Sequence, residues 1–209
     1  MSAVLERVRV VHMGMSPYQS TLQAMREFTA RRGADTPDEL WLLEHPPVYT
    51  LGLAADAGHG PKAGGTGGTI PVLQVERGGE ITYHGPGQII LYTLVDLARR
   101  GIKVKQFVAM LEQSVIDLLG SRAERKRGAP GIYVVGAKIA ALGIRVSRGC
   151  AFHGLALNVD MDLTPFSAID PCGFPGMQVT QTRDIGMKES IQTLGKKLAG
   201  ILIGKLEHA

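Results

Sequence analysis

Three stretches of the chain repeat their apolar residues at the spacing of one helix face. Tyr18, Leu22, Met25 and Phe28 form the first stripe, which Gly33 closes. Ser16 stands before it as an N-cap, Pro17 suits the first turn, and Gln19 completes a capping box. Val104, Phe107, Val108, Leu111, Val115 and Leu118 form the second, stopped by Gly120. Ser190–Ile203 is the third, weakened by two internal glycines. Shorter apolar runs between turn residues read as strands: Leu40–Leu43 and Val48–Leu51 around the His45-Pro46-Pro47 break, then Val72–Glu76, Gln88–Leu94 and Phe152–Val159. Ile132–Val135 and Lys138–Val146 flank Gly136-Ala137, a two-residue link with glycine first that suits a type II′ hairpin. Strands outnumber helices, and hairpin links are more evident than strand–helix–strand alternation. The pattern predicts an α/β chain of the α+β type, with a mixed, largely antiparallel sheet flanked by helices.

Length and composition narrow this picture. With 209 residues, 44% hydrophobic and 20% charged, the chain has the usage of one globular domain spanning 1–209. No apolar run approaches the ~18 residues of a membrane span. The start carries no signal-peptide pattern, and two cysteines make no disulfide framework, so a reducing cytoplasm is expected. The net charge of +4 is too small for a nucleic-acid-binding arm. Its basic excess is local, at Arg99, Arg100, Lys103 and Lys105 and at Arg122, Arg125, Lys126 and Arg127. Such runs are either a solvated face or a docking surface for an acidic protein. Seven of the 27 glycines fall between Gly52 and Gly68, where neither period nor apolar content survives, and 54–68 reads as a mobile loop.

The common catalytic signatures are absent. The sequence contains no GxGxxG, no phosphate-binding GxxxxGK[ST], no HExxH and no GxSxG, and its histidines and cysteines lack metal-ligand spacing. No metal and no cofactor is therefore expected. What remains is a set of polar residues in turns punctuated by glycine and proline, where sites concentrate. Cys172 lies between Pro171 and Gly173, which presents its thiol in a turn; the alternative is an inert loop cysteine. Cys150 begins an apolar strand and reads as a small core residue, three positions from His153 and so on the opposite strand face. Lys138 follows the hairpin link and leads a face with Ala140, Leu142, Ile144 and Val146. Its amine either snorkels to water or is held against the core, where an amine serves as a base and as counter-charge to a thiolate. His84 and His153 are alternative bases, and spacing alone does not choose among them.

Taken together these motifs resemble the lipoate-biosynthesis octanoyltransferases. The matching runs are His45–Gly52, RGGEITYHGPGQIILY at Arg77–Tyr92, and Ala129–Gly173 with its GAK, RGCAFHGLALN and DPCG segments. The resemblance covers roughly the middle two-thirds of the chain. It implies the fold of the biotin/lipoate protein ligase catalytic domain. It implies transfer of a medium-chain acyl group, usually octanoyl, from acyl carrier protein to a lysine of lipoyl domains of 2-oxoacid dehydrogenases or of the glycine-cleavage H protein. The acyl-thioester cysteine of the family falls on Cys172 and its partner lysine on Lys138. The substrate-contacting stretches fall on Arg77, Gly78, Gly79, Glu80, Ile81, Thr82, Tyr83 and His84, on Ala141, Leu142 and Gly143, and on Gly154, Leu155 and Ala156, with His153 in support.

That chemistry agrees with the residues. A thioester donor is already activated, so ATP and a phosphate-binding loop are dispensable, and a cysteine divides one transfer into two steps. Gly78, Gly79, Gly143 and Gly154 are expected to leave room for an alkyl chain. The rival readings are an ATP-dependent lipoate or biotin ligase on the same fold, a non-catalytic lipoyl-domain-binding module, and a cysteine thioesterase. None involves nucleic acid or membrane.

Overall fold

The computed structural model describes residues 8–55, 61, 69–170 and 176–209. Most of the glycine-rich 54–68 stretch and the Pro171–Gly173 turn lie outside the described residues. Two sheets are built. The larger has seven strands in the order β1-β2-β6-β10-β9-β8-β7: β1 (Arg9–Met15), β2 (Glu39–Glu44), β6 (Gln88–Asp96), β10 (Cys150–Asn158), β9 (Ala137–Ser147), β8 (Ala129–Val134) and β7 (Ala123–Lys126). Only the β1–β2 pair in it is parallel. The smaller has the order β4-β3-β5, from Val72–Gln74, Val48–Leu51 and Ile81–His84.

Strand alternation divides the core into two layers. Leu40, Leu42, Ile89, Leu91, Leu155 and Leu157 face helices α2 (Val104–Leu119) and α3 (Ile191–Glu207), meeting Phe107, Leu111, Val115, Leu194, Leu198 and Leu202. Trp41, Leu43, Ile90, Tyr92, Leu94, Phe152 and Ala156 face the other way, against Tyr18, Leu22 and Met25 of α1 (Tyr18–Arg31). The small sheet lies beside this second layer and packs Tyr49, Leu51, Ile81 and Tyr83 on Phe166 and Met161. The expected mixed, largely antiparallel sheet flanked by helices is what the chain forms. Among the described residues no helix is long and apolar enough to cross a membrane.

Local expectations are met unevenly. α3 starts as anticipated, with Ser190 Oγ accepting from the Thr193 amide. α1 starts one residue later than the capping box suggests: Pro17 is its N-cap and the Ser16 hydroxyl donates to the Met13 carbonyl. The β8–β9 link is Val135-Gly136, both with positive φ (48° and 80°), so the turn is type I′ and not the anticipated Gly136-Ala137 type II′.

Two residues of the first basic run, Arg99 and Arg100, have structural partners. Asp38 is fully buried and accepts from Arg32, Arg99 and Arg100. Burial pushes its carboxyl up, but the Asp96 amide and the Arg100 and Arg32 guanidiniums outweigh this and hold it below the usual carboxylate range. Arg99 and Arg100 also donate to the carbonyls of Ala34, Thr36 and Leu206. They tie the start of β2 to the chain's last helix, a structural task for these two residues.

Candidate active site

A register shift positions the lysine. Tyr133 pairs with Lys138, but its neighbour Ile132 pairs with Ala140, which leaves Ile139 as an extra residue on β9. Ile139 and Ala140 consequently both face the α2–α3 layer. The bulge moves Lys138 off the face of Ala140, Leu142, Ile144 and Val146, where unbroken alternation would put it, and onto the face of Ala141 and Gly143. This is the reverse of the sequence expectation, and it aims the amine at the α1 side of the sheet. There Lys138 is 4% exposed, with Nζ 5.6 Å from the centroid of the Tyr133 ring. Gly131 has φ 127°, and a Cβ at that position would lie 2.5 Å from Lys138 Cε. Glycine there is what gives the lysine chain its space.

The chain beyond the undescribed turn returns to this point. The Lys138 amide donates to the Gln178 carbonyl at 2.8 Å, and the Thr180 amide donates to the Lys138 carbonyl at 2.9 Å. A directed set of buried hydrogen bonds joins the same segment to the small sheet. Arg77 donates to Thr50 Oγ1 and to the Thr50 carbonyl. Thr50 Oγ1 lies 3.4 Å from His84 Nε2, and His84 Nδ1 lies 2.8 Å from Gln88 Oε1. Gln88 donates to Asn158 Oδ1, and Asn158 donates to the Thr180 carbonyl. Each amide group has one orientation that satisfies its neighbours, so the network fixes His84 as the Nδ1–H tautomer.

Above the same sheet face lies a cleft of about 480 Å³, counting space open to solvent. Its walls bring together Arg77, Gly79 and Glu80 from the turn before β5 and Ile81, Thr82 and His84 from β5 with Ala141, Leu142, Gly143, Gly154, Leu155 and Ala156 from β9 and β10. Of the residues that the sequence suggests for the substrate, Gly78 and Tyr83 are outside the wall. Tyr83 instead packs between Tyr49 and Phe166, with ring centroids 5.5 Å from each. Thr82 and Ala141 border both this cleft and the small recess around Lys138, so the two lie side by side.

Gly143 and Gly154 are required by their backbone surroundings. A Cβ at Gly154 would lie 2.0 Å from the Leu91 carbonyl oxygen, and one at Gly143 would lie 2.6 Å from that of Gly78. Close approach of backbones, rather than room for an alkyl chain, requires them there.

Sequence reasoning missed the cleft's aromatic wall: Tyr18 and Tyr92 also line it. Tyr18 reads as one position of a helix stripe and Tyr92 as one of an apolar strand. Only their shared strand and helix faces bring them together. They join His45, His84 and His153 in a ring cluster with neighbouring centroids 4.9–5.9 Å apart. His45 is held between the Ser16 carbonyl (2.6 Å) and the Tyr92 hydroxyl (2.8 Å).

Burial keeps these imidazoles neutral. It brings His45 down to about 4 despite the Ser16 carbonyl. It brings His153 down to about 3, with Arg77 adding to the effect. His84 is also well below its ordinary value, first through burial and then through His45 and Arg77. A neutral buried histidine binds its proton more readily once the chain unfolds. Its stabilisation is complete above the unfolded value of about 6.5 and is lost as pH falls through the folded one. Lowering the pH from 7 to 5 is expected to remove about 2–4 kcal/mol of stability through His45 and His153. Urea unfolding at the two pH values measures this, and equal midpoints would contradict a neutral buried cluster.

Comparison with known proteins follows the same lines. Residues 17–200 match the family model of the lipoyl protein ligase A/B catalytic domain. An octanoyltransferase of Thiobacillus denitrificans is 56% identical over 196 residues, covering 92% of this chain and 88% of that one. A lipoate-protein ligase A solved with bound ATP superposes with a TM-score of 0.76 at 14% identity, over 97% of this chain and 85% of that one. A bipartite lipoate protein ligase from Thermoplasma acidophilum gives 0.75 at 16%, over 97% and 84%. The solved structures establish likeness of fold, and the curated relative establishes kinship: the chain belongs to the lipoyl protein ligase A/B catalytic-domain family and, within it, to the octanoyltransferases.

Proposed function

We propose that this chain, as a single catalytic domain in the cytoplasm, moves an octanoyl group from acyl carrier protein to a lysine of a lipoyl domain, through a thioester on Cys172. The observation that carries the reading is the adjacency of the cleft and the recess that holds Lys138, which share Thr82 and Ala141 as walls. The cleft offers a wall for an alkyl chain and the recess a buried amine. The Cys172 thiolate attacks the thioester carbonyl, the new C–S bond forms, and the carrier's thiol leaves with a proton. The acceptor amine then attacks the same carbon, an amide forms, and the cysteine sulfur leaves. Lys138 supplies charge opposite the thiolate in the first step and takes the proton of the incoming ammonium in the second. The donor is acyl carrier protein. The acceptors are lipoyl domains of 2-oxoacid dehydrogenases and the glycine-cleavage H protein.

The experiment combines the protein, octanoyl-acyl carrier protein and an apo lipoyl domain without nucleotide, and follows the mass of the lipoyl domain. One octanoyl group per domain is the expected product. A strict need for ATP would assign the chain to the ligase chemistry of its structural neighbours. Release of free octanoate without a modified domain would make it a thioesterase.

A further inference from the structure

Strands β9 and β10 pair from Ser147 and Cys150 as far as Ala140 and Leu157, and then part. Lys138 lies two residues past this fork, on the edge of β9 that β10 has left. The 178–182 segment takes the place of β10 there. It meets Lys138 in an isolated parallel bridge at Val179, flanked by the two backbone hydrogen bonds from Gln178 and Thr180. On its other side the Thr182 amide donates to the Asn158 carbonyl at 3.0 Å, and the Arg183 amide donates to that of Val159 at 3.1 Å. The segment is thus wedged between two diverging strands, and it closes an edge that would otherwise leave the Lys138 backbone to water.

Hydrogen bonds, more than burial, hold the part of this wedge that touches Lys138. Gln178 is exposed, and Val179 and Thr180 are half-buried. One side chain reaches across the fork to it: Asn158 Nδ2 donates to the Thr180 carbonyl at 3.0 Å. Asn158 is 5% exposed, stands opposite Gln88 on β6, and borders the Lys138 recess together with Gln88. The next pair along these strands, Leu157 and Ile89, is apolar. Burying two amides costs free energy that an apolar pair at the same place would not, unless every polar atom is used. Here the atoms are used in one order. Gln88 Oε1 is taken by His84 Nδ1, and Gln88 Nε2 donates to the Tyr83 carbonyl and to Asn158 Oδ1. Asn158 is left to present its amide hydrogens to Thr180.

Resting on the octanoyl-transfer reading above, in which Lys138 supplies charge and takes a proton, we infer that Asn158 is a positioning residue for Lys138. It holds Thr180, and the Thr180 amide holds the Lys138 carbonyl. The lysine's backbone is thereby fixed where the β9 bulge has aimed its side chain. Gln88 acts one step further out, by setting which way the Asn158 amide points. Misplacing a reacting group by about 1 Å through a change outside the site costs up to about 10²-fold in rate.

The test uses Asn158→Leu, which keeps the volume and has no donor, and Asn158→Ala, which adds neither bulk nor charge and decides the matter if the leucine variant does not fold. Transfer from octanoyl-acyl carrier protein to an apo lipoyl domain is measured well below the melting temperature of each protein. The kcat should fall about 10–100-fold, with KM for either protein substrate within about twofold of wild type. Hydrogen exchange of the Lys138 and Thr180 amides should quicken about tenfold, the effect of one hydrogen bond, while that of Leu111 and Leu198 in α2 and α3 stays as in wild type. Unchanged kcat, or unchanged exchange at Lys138 and Thr180, in a folded variant overturns the inference and leaves the octanoyl reading intact. A lowered melting temperature with unchanged kcat is what a merely structural role would give, and it counts against the inference in the same way. If wild type transfers no octanoyl group, that reading fails, and the exchange rates alone judge Asn158: quickening confined to Lys138 and Thr180 supports its hold on the lysine, and rates equal to wild type overturn it.

Discussion

Cys172→Ala is expected to leave no acyl-enzyme and to cut octanoyl transfer by at least about 10³-fold, the scale of removing a covalent nucleophile. Intact mass after mixing with octanoyl-acyl carrier protein reads the first outcome, and mass of the lipoyl domain the second. Cys172 itself lies outside the described residues; its Pro171-Cys172-Gly173 setting, the resemblance and its sequence neighbours support the assignment. The segment that follows it, at Gln178 and Thr180, is hydrogen-bonded to the backbone of Lys138 on both sides. The other thiol is a poor competitor. Cys150 is 7% exposed at the start of β10, pairs with Ser147 and Asp96, and makes only a long contact with the Arg148 carbonyl. Burial pushes its thiol up, and Asp96 adds to this. Cys150→Ala is therefore expected to retain the adduct and most of the transfer. Loss of the adduct in that variant, with Cys172→Ala still acylated, would exchange the two assignments.

The contrast between what the sequence announces and what only the fold reveals has a simple physical origin. Continuous apolar runs define β2, β6 and β10 because both faces of these strands are buried in different layers, and α2 and α3 carry full apolar stripes. β7 (Ala123–Lys126) is almost entirely polar and exposed at a sheet edge, so it offers no apolar period to read. β5 (Ile81–His84) is hidden inside a run of glycines and polar residues whose motif outweighs its pattern. The decisive errors are single residues that reset the period. Ile139 inserted into β9 reverses the face of Lys138. A left-handed φ at His153 reverses its face too. Most residues from Arg77 to Ala156 that the motifs single out do meet in one cleft, with Gly78 and Tyr83 outside its wall and Lys138 in the recess beside it. Their partners Tyr18, His45 and Tyr92 come from an α1 stripe, a pre-proline turn and a strand, and no local signal joins them.

Lys138→Met is expected to raise the pH midpoint of Cys172 alkylation by iodoacetamide by about one to two units and to slow transfer by about 10²–10⁴-fold. The first effect follows from charge. A thiolate facing an ammonium is stabilised by it, and a methionine of similar length fills the space without supplying that charge. The second follows from the aminolysis step, which needs a group to take the acceptor's proton. The setting of Lys138 supports both roles. The β9 bulge turns the side chain toward the cleft, Gly131 clears its path, and Tyr133 and the Gln178–Thr180 segment hold it with little exposure. Lys138→Arg separates the roles, because a guanidinium keeps the charge but does not act as a base. It should restore much of the alkylation midpoint while transfer stays low, provided the recess admits the larger head. His84 and His153 are the alternatives if Lys138→Met leaves the midpoint where it is. Against them stands the cost of charging either ring: both are buried and neutral, and His84 is committed to Gln88 and Thr50. A midpoint that moves in Lys138→Met and not in His84→Gln selects the lysine, and the opposite pattern selects the histidine and leaves Lys138 as a positioning residue.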